Sequence, residues 1–184
     1  MDLIQRALEL VDRLEGHTLE NRHAIHCNPE LSFKEFETSA LVRSELERMG
    51  IPYELSPVEP GVIATIDSGR PGKLLMLRAD MDALPIQEDT GLPFASRNEG
   101  VMHACGHDIH TAVLLGSARI FKSMENRLPG TVKLFFQPAE ETVGGAKTMI
   151  DEGCMSFPDV KAVLGLHVDP TIPLGAASFL PGEM

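Results

Sequence analysis

The chain has 184 residues, with 27 acidic and 16 basic side chains, a formal charge of −11 and a pI near 5.0. That surplus of carboxylates excludes a general nucleic-acid or polyanion binder, which needs Lys and Arg to neutralise phosphate. A hydrophobic content of 43% and a charged content of 23% exclude a disordered chain, and the length suits one domain with a sizeable core.

No apolar run approaches the roughly 18 residues of a membrane-crossing helix. The start, Met1-Asp2-Leu3-Ile4-Gln5-Arg6, lacks a basic segment followed by an apolar one, so no signal peptide is read and a cytoplasmic address is expected. The three cysteines, Cys27, Cys105 and Cys154, are an odd number without a regular framework, which points to reduced thiols.

The first element is an amphipathic helix over 3–14, with Leu3, Ala7, Val11 and Leu14 on one face. A second helix over 35–49 places Val42, Leu46 and Met49 together and stops at Gly50, with Pro52 beyond. Val62–Ile66 reads as a strand, then a turn over 68–72, then a strand over 73–77 whose unbroken apolar run suits burial on both faces. A well-buried helix over 109–125 carries Ile109, Val113, Gly116, Ile120 and Met124 on one stripe, with Ala112, Leu115 and Ala118 on its other faces. Thr131–Phe136 and the apolar run ending at Leu166 read as further covered strands, with a short helix over 144–152 between them. Strands alternating with helices predict a layered α/β sheet, in which functional groups gather where strands end.

Four segments at such points carry metal-capable or acid–base side chains. Arg78-Ala79-Asp80-Met81-Asp82 follows one strand. His103-Ala104-Cys105-Gly106-His107-Asp108 precedes the buried helix, where Gly106 allows a sharp turn and the helix N-terminus is expected to lower the thiol pKa. Gln137-Pro138-Ala139-Glu140-Glu141 ends a third strand, and two adjacent carboxylates can divide cation binding from proton transfer. Gly165-Leu166-His167-Val168-Asp169 ends the fourth. The ligand inventory is therefore Cys105, His107, Glu141 and His167, with Glu140 left over. Sulfur, imidazole and carboxylate together suit a d-block ion better than calcium or magnesium. His103 is read as a structural residue, or one that supports the ligands from behind, rather than as a ligand itself.

In their order these motifs, together with Arg22–His26 and Asn28-Pro29-Glu30-Leu31-Ser32-Phe33, resemble the aminoacylase/carboxypeptidase group of di-metal exopeptidases. That group includes hippurate hydrolase and N-acyl-amino-acid amidohydrolases. The resemblance spans nearly the whole chain and implies a three-layer zinc-exopeptidase-like catalytic domain, with a central mixed sheet and helices on both faces. It implies two divalent ions (Zn, Mn, Co or Ni) bridged by Cys105 and held further by His107, Glu141 and His167. Glu140 would be the general base, Asp80 would orient groups behind the ligands, and His26 with Pro29-Glu30 would pack the N-terminal loop. The implied substrate is a small N-acyl amino acid or dipeptide; neither nucleic acid nor membrane is a partner. Members of the group are longer, so residues 1–184 are expected to be the N-terminal portion of an incomplete catalytic domain. The lid domain, through which a homodimer would form, the rest of the sheet and one further His ligand are absent from this sequence. Two rivals stand beside this reading: a hydrolase with Cys105 as nucleophile, and a non-catalytic remnant of the metalloenzyme.

Overall fold

The apolar runs do become strands, and their pairing decides where the polar residues go. The computed structural model describes residues 2–142, 144–156 and 160–179. Val62–Asp67 (β2), Leu74–Asp80 (β3), Thr131–Gln137 (β4) and Val160–Gly165 (β5) form one sheet with a three-residue strand, Tyr53–Leu55 (β1), that sequence reasoning missed. The order is β1-β2-β4-β3-β5. β1 with β2, and β2 with β4, are antiparallel; β3 runs parallel to both β4 and β5. Three neighbouring strands thus end at the same edge of a mixed sheet.

The helices are Leu3–Cys27 (α1), Phe36–Met49 (α2), His107–Ser123 (α3) and Gly145–Asp151 (α4). Alternation along β2 sends Val62, Ala64 and Ile66 to one face, where they meet Val42 and Leu46 of α2 and Leu114, Leu115 and Ala118 of α3. Ile63 points to the other face, joining Met76, Phe135, Met149 of α4 and Cys154. Helices cover both faces, as the three-layer expectation requires. Fully buried side chains such as Phe136, Leu46 and Ile66 each contribute about 1.5–3 kcal/mol by leaving water.

Several boundaries and faces differ from the sequence reading. α1 runs on to Cys27, and its buried residues are Asn21, Ile25, His26 and Cys27; Val11, on the expected apolar face, is 50% exposed. The extension is anchored by polar contacts: His17 Nε2 lies 2.6 Å from the buried Glu45 of α2, which also accepts from Arg119 of α3 at 2.9 Å. α3 begins two residues earlier than expected and buries Thr111, Ala112, Leu114, Leu115 and Ala118 rather than the stripe through Val113. The helix has two apolar sides; the sheet takes this one, while Gly116 faces Thr18 of α1. β3 extends to Asp80, so Arg78 and Asp80 lie on the strand and not in a loop. β5 ends at Gly165 and is largely exposed, Val163 by 53% and Leu164 by 56%, because among the described residues it pairs only with β3 at the sheet's edge.

The N-terminal loop has the packing role expected of it. Glu30 caps α2 from outside, accepting from the Glu37 and Thr38 N–H groups at 3.0 and 2.9 Å. His26 and Arg22 both reach Asp108 at the start of α3, at 2.7 and 2.8 Å. Among the described residues no helix is long and apolar enough to cross a membrane.

Candidate metal centre

β3, β4 and β5 deliver their C-terminal ends to the corner where α3 begins. Gly106 makes the turn into α3 at φ +86°, and a Cβ there would sit 2.3 Å from Val168 Cγ2. Only glycine lets the loop after β5 close on the helix start. After β4 the chain turns through Ala139 at φ +53°. The buried carboxyl of Glu35 holds that turn, accepting the Ala139 N–H at 2.7 Å.

The six residues singled out in the sequence meet here. Cys105 Sγ lies 3.5 Å from His167 Nε2. His107 Nε2 is 3.7 Å from Glu141, 4.0 Å from Glu140 and 3.6 Å from Asp80. Three sets have ligand atoms within 4.8 Å of one another: Cys105, His107 and His167; His107, Glu140 and Glu141; Asp80, His107 and His110. His107 is common to all. Its Nδ1 faces Asp82 at 3.3 Å, which leaves Nε2 buried with no hydrogen-bond partner among the described residues. An unpartnered imidazole nitrogen amid carboxylates and a thiol fits a borderline-soft divalent cation. Asp108, by contrast, faces α1, and His103 is buried outside every set, with burial pulling its pKa down to about 4.

The electrostatics follow from the crowding. Burial pulls the His107 pKa down, but the hydrogen bond to Asp82 and the charges of Asp80, Asp82 and Glu141 outweigh it and hold the ring above its ordinary value. Burial opposes ionisation of Asp80 too, yet His110 at 2.6 Å and Arg78 at 2.8 Å keep its carboxyl below the usual range. The thiol departs from expectation. Burial, then Glu141, Glu140 and Asp80, pushes Cys105 up to about 12, and the helix N-terminus does not reverse it. Without a cation Cys105 is therefore a protonated, poor nucleophile, which argues against the cysteine-hydrolase rival.

Two residues in this corner escaped the sequence reading. Asp82 accepts from the Glu140 and Glu141 N–H groups at 2.9 Å each and from Ser32 at 2.7 Å. Against the cost of burial these contacts, with His107, hold its carboxyl far below the usual range. The only hint was its place two residues after Asp80. His110 contacts Asp80; its spacing of three from His107 on α3 was the available signal. Asp82→Asn is expected to cost roughly 1.5–3 kcal/mol, as for hydrogen bonds to a charged group. It should also blunt the wild type's loss of stability in acid, since Asp82 stabilises above the ordinary carboxylate pKa and stops doing so as pH falls through its depressed one. Urea midpoints at pH 3 and pH 7 would show both effects, and an unchanged midpoint at pH 7 would refute the assignment.

Glu35 behaves oppositely. Burial raises its pKa from 4.5 to about 7, although the Ala139 N–H opposes the rise. The folded chain keeps this proton where the unfolded chain has lost it, so stability from this group is full below about pH 4.5 and is lost as pH rises through about 7. Glu35→Gln keeps an acceptor for Ala139 and removes the titration. The variant should gain up to about 3 kcal/mol over wild type at pH 8 relative to pH 4. Parallel urea midpoints for both proteins across that range would sink the idea.

Known proteins resemble this chain in sequence and in fold. Residues 76–182 match peptidase family M20/M25/M40. The IAA-amino acid hydrolase ILR1-like 6 of Arabidopsis thaliana is 50% identical over 163 residues, covering 89% of this chain and 34% of the relative. The N-acetyl-L-cysteine deacetylase of Bacillus subtilis is 44% identical over 171 residues, covering 93% of this chain and 41% of the relative. The Bacillus subtilis YXEP protein, a dinuclear metal binding peptidase of the M20 family, superimposes with a TM-score of 0.83 at 42% identity, over 88% of this chain and 45% of that one. The chain spans less than half the length of each of these relatives. With its mixed sheet, its clustered metal-capable side chains and the match over residues 76–182, this chain belongs to peptidase family M20/M25/M40.

Proposed function

We propose that the whole protein is a metal-dependent amidohydrolase that cleaves the amide joining an acyl group to an amino acid. One observation carries the reading: Cys105, His107, Glu141 and His167, from three separate segments, converge around the buried His107 Nε2, which has no hydrogen-bond partner among the described residues. Relatives named as an IAA-amino acid hydrolase and an N-acetyl-L-cysteine deacetylase support an N-acyl amino acid as substrate, with a dipeptide as the close variant. A dinuclear metal binding neighbour supports two divalent ions, drawn from Zn, Mn, Co and Ni. The reading keeps the cytoplasmic address and, for the longer protein, a dimer through the lid domain.

Cys105, His107, Glu141 and His167 would hold the ions, with Cys105 shared. Bound cations would polarise the amide carbonyl and acidify a water. The chain's own part is proton transfer and positioning. Glu140 is 40% exposed at its side chain, open to substrate, and Asp82 fixes its backbone. Glu140 takes the proton from the attacking water and returns it to the leaving amine, so no covalent intermediate is needed. Asp82 sets the His107 tautomer, leaving Nε2 as the ligand atom, and Asp80 is held by His110 and Arg78 to orient rather than to react.

A second reading applies to these 184 residues by themselves. Coverage of 34–45% of the relatives and the exposed β5 edge support their being the N-terminal portion of the catalytic domain, binding metal without turnover. Elemental analysis with assays on hippurate and N-acetyl amino acids, on this chain and on a version extended to the relatives' length, tests both. Metal in both versions, with turnover in the extended version alone, supports the two readings together. Robust turnover by the 184 residues ends the remnant reading, and metal-free turnover ends the metalloenzyme.

A further inference from the structure

The segment that brings His167 to Cys105 has little support of its own. β5 is an exposed edge strand, and His167 is exposed as well. The residues after β5 are tied to the start of α3 by several contacts, among them an edge-on meeting of the His110 and His167 rings at 4.6 Å between centroids. The Val168 side chain packs into the space left by Gly106, and the Val168 N–H donates to His110 Nε2 at 3.0 Å.

His110 is 3% exposed and engaged on both sides. Its Nδ1 lies 2.6 Å from Asp80 Oδ1. An ionised carboxylate only accepts and a backbone N–H only donates, which fixes the tautomer: the proton is on Nδ1 and the lone pair on Nε2. Although Asp80, His107 and His110 form a candidate ligand set, His110 Nε2 is already filled by an N–H, so this ring is unsuited to hold an ion.

We propose that His110 is a positioning residue which, by accepting the Val168 N–H, sets the place of His167 beside Cys105. Through Asp80 it also ties the end of β3 to the exit of β5, in addition to the ladder that joins the two strands. The proposal rests on the reading of His167 as a metal ligand, and it adds the residue on which that ligand's position depends.

The test is Co2+ titration of the reduced full chain, followed by the cobalt–thiolate absorption band. His110→Ala should weaken Co2+ binding by about 10- to 100-fold, the usual cost of removing a partner behind a metal ligand. His110→Gln places an amide oxygen near the position of Nε2 and should stay within about threefold of wild type. His110→Asn reaches only toward Asp80 and should behave like His110→Ala. In a His167→Ala background, His110→Ala should add no more than about twofold, the scatter expected of independent sites. Additive losses, or rescue by Asn rather than Gln, would overturn the proposal and assign His110 to Asp80 alone. Unchanged affinity in His167→Ala by itself would sink the underlying ligand reading, and the proposal with it. The Asn and Gln variants differ by one methylene, so their contrast is not a matter of gross unfolding.

Discussion

Glu140→Gln, made in the extended, active protein, should lower kcat by about 10²–10⁴-fold, the range that a positioned proton carrier contributes. Its bound metal should stay at the wild-type ratio. The expectation rests on two separate observations. Glu140 lies farthest from His107 Nε2 of the three neighbouring carboxylates, at 4.0 Å, against 3.6 Å for Asp80 and 3.7 Å for Glu141. Its backbone N–H is held by Asp82, so the amide substitution leaves the geometry of the turn in place. Gln keeps the volume and the hydrogen-bonding capacity of Glu but cannot carry a proton at neutral pH. Single-turnover rates with metal content measured on the same sample decide the matter. Near-normal turnover would remove Glu140 from the chemistry, and a parallel loss of metal would make it a ligand instead.

Cys105→Ala should strip the centre of metal. The thiol meets His167 at 3.5 Å and lies close enough to Glu141 to share a hydrogen bond, so it stands between the two groups of ligands that meet at His107. On the proposed reading, in which two ions share Cys105, its loss removes both at chelator concentrations that leave wild type loaded. The raised thiol pKa adds a quantitative signature. At neutral pH the metal-free thiol is protonated, held near 12 by burial and by Glu141, Glu140 and Asp80, so uptake of a cation must release that proton. Log affinity should therefore gain about one decade per pH unit from Cys105, and the pH slope in Cys105→Ala should be smaller by about one. Affinity measured from pH 6 to pH 8 for both proteins gives the comparison. Equal slopes would mean that the thiol is not a ligand.

The strands of the sheet's interior were readable because each is a short apolar run closed by turn residues, as in Val62–Ile66 before Ser68-Gly69. The metal-capable residues were readable because Cys, His and Glu cluster at strand ends, and ligand chemistry is a property of residue type. The three-residue β1 left no comparable trace; it exists because β2 offers it a partner, Tyr53 opposite Ala64. For α3, either of two apolar sides could have faced the sheet, and packing chose between them.

Composition and motif thus pointed to the fold class, the metal-capable side chains and the segments that supply them, all of which depend on local residue identity. Folding settled the rest. Asp82 gains its purpose from backbone groups 58 and 59 residues away, and His110 from one 58 residues away. The protonation of Cys105 answers to its burial and to carboxylates from other strand ends, whereas the linear order had suggested only the helix terminus beside it. Hydrogen-bond partners and summed electric fields depend on distance in space, and separation along the polypeptide does not encode that distance.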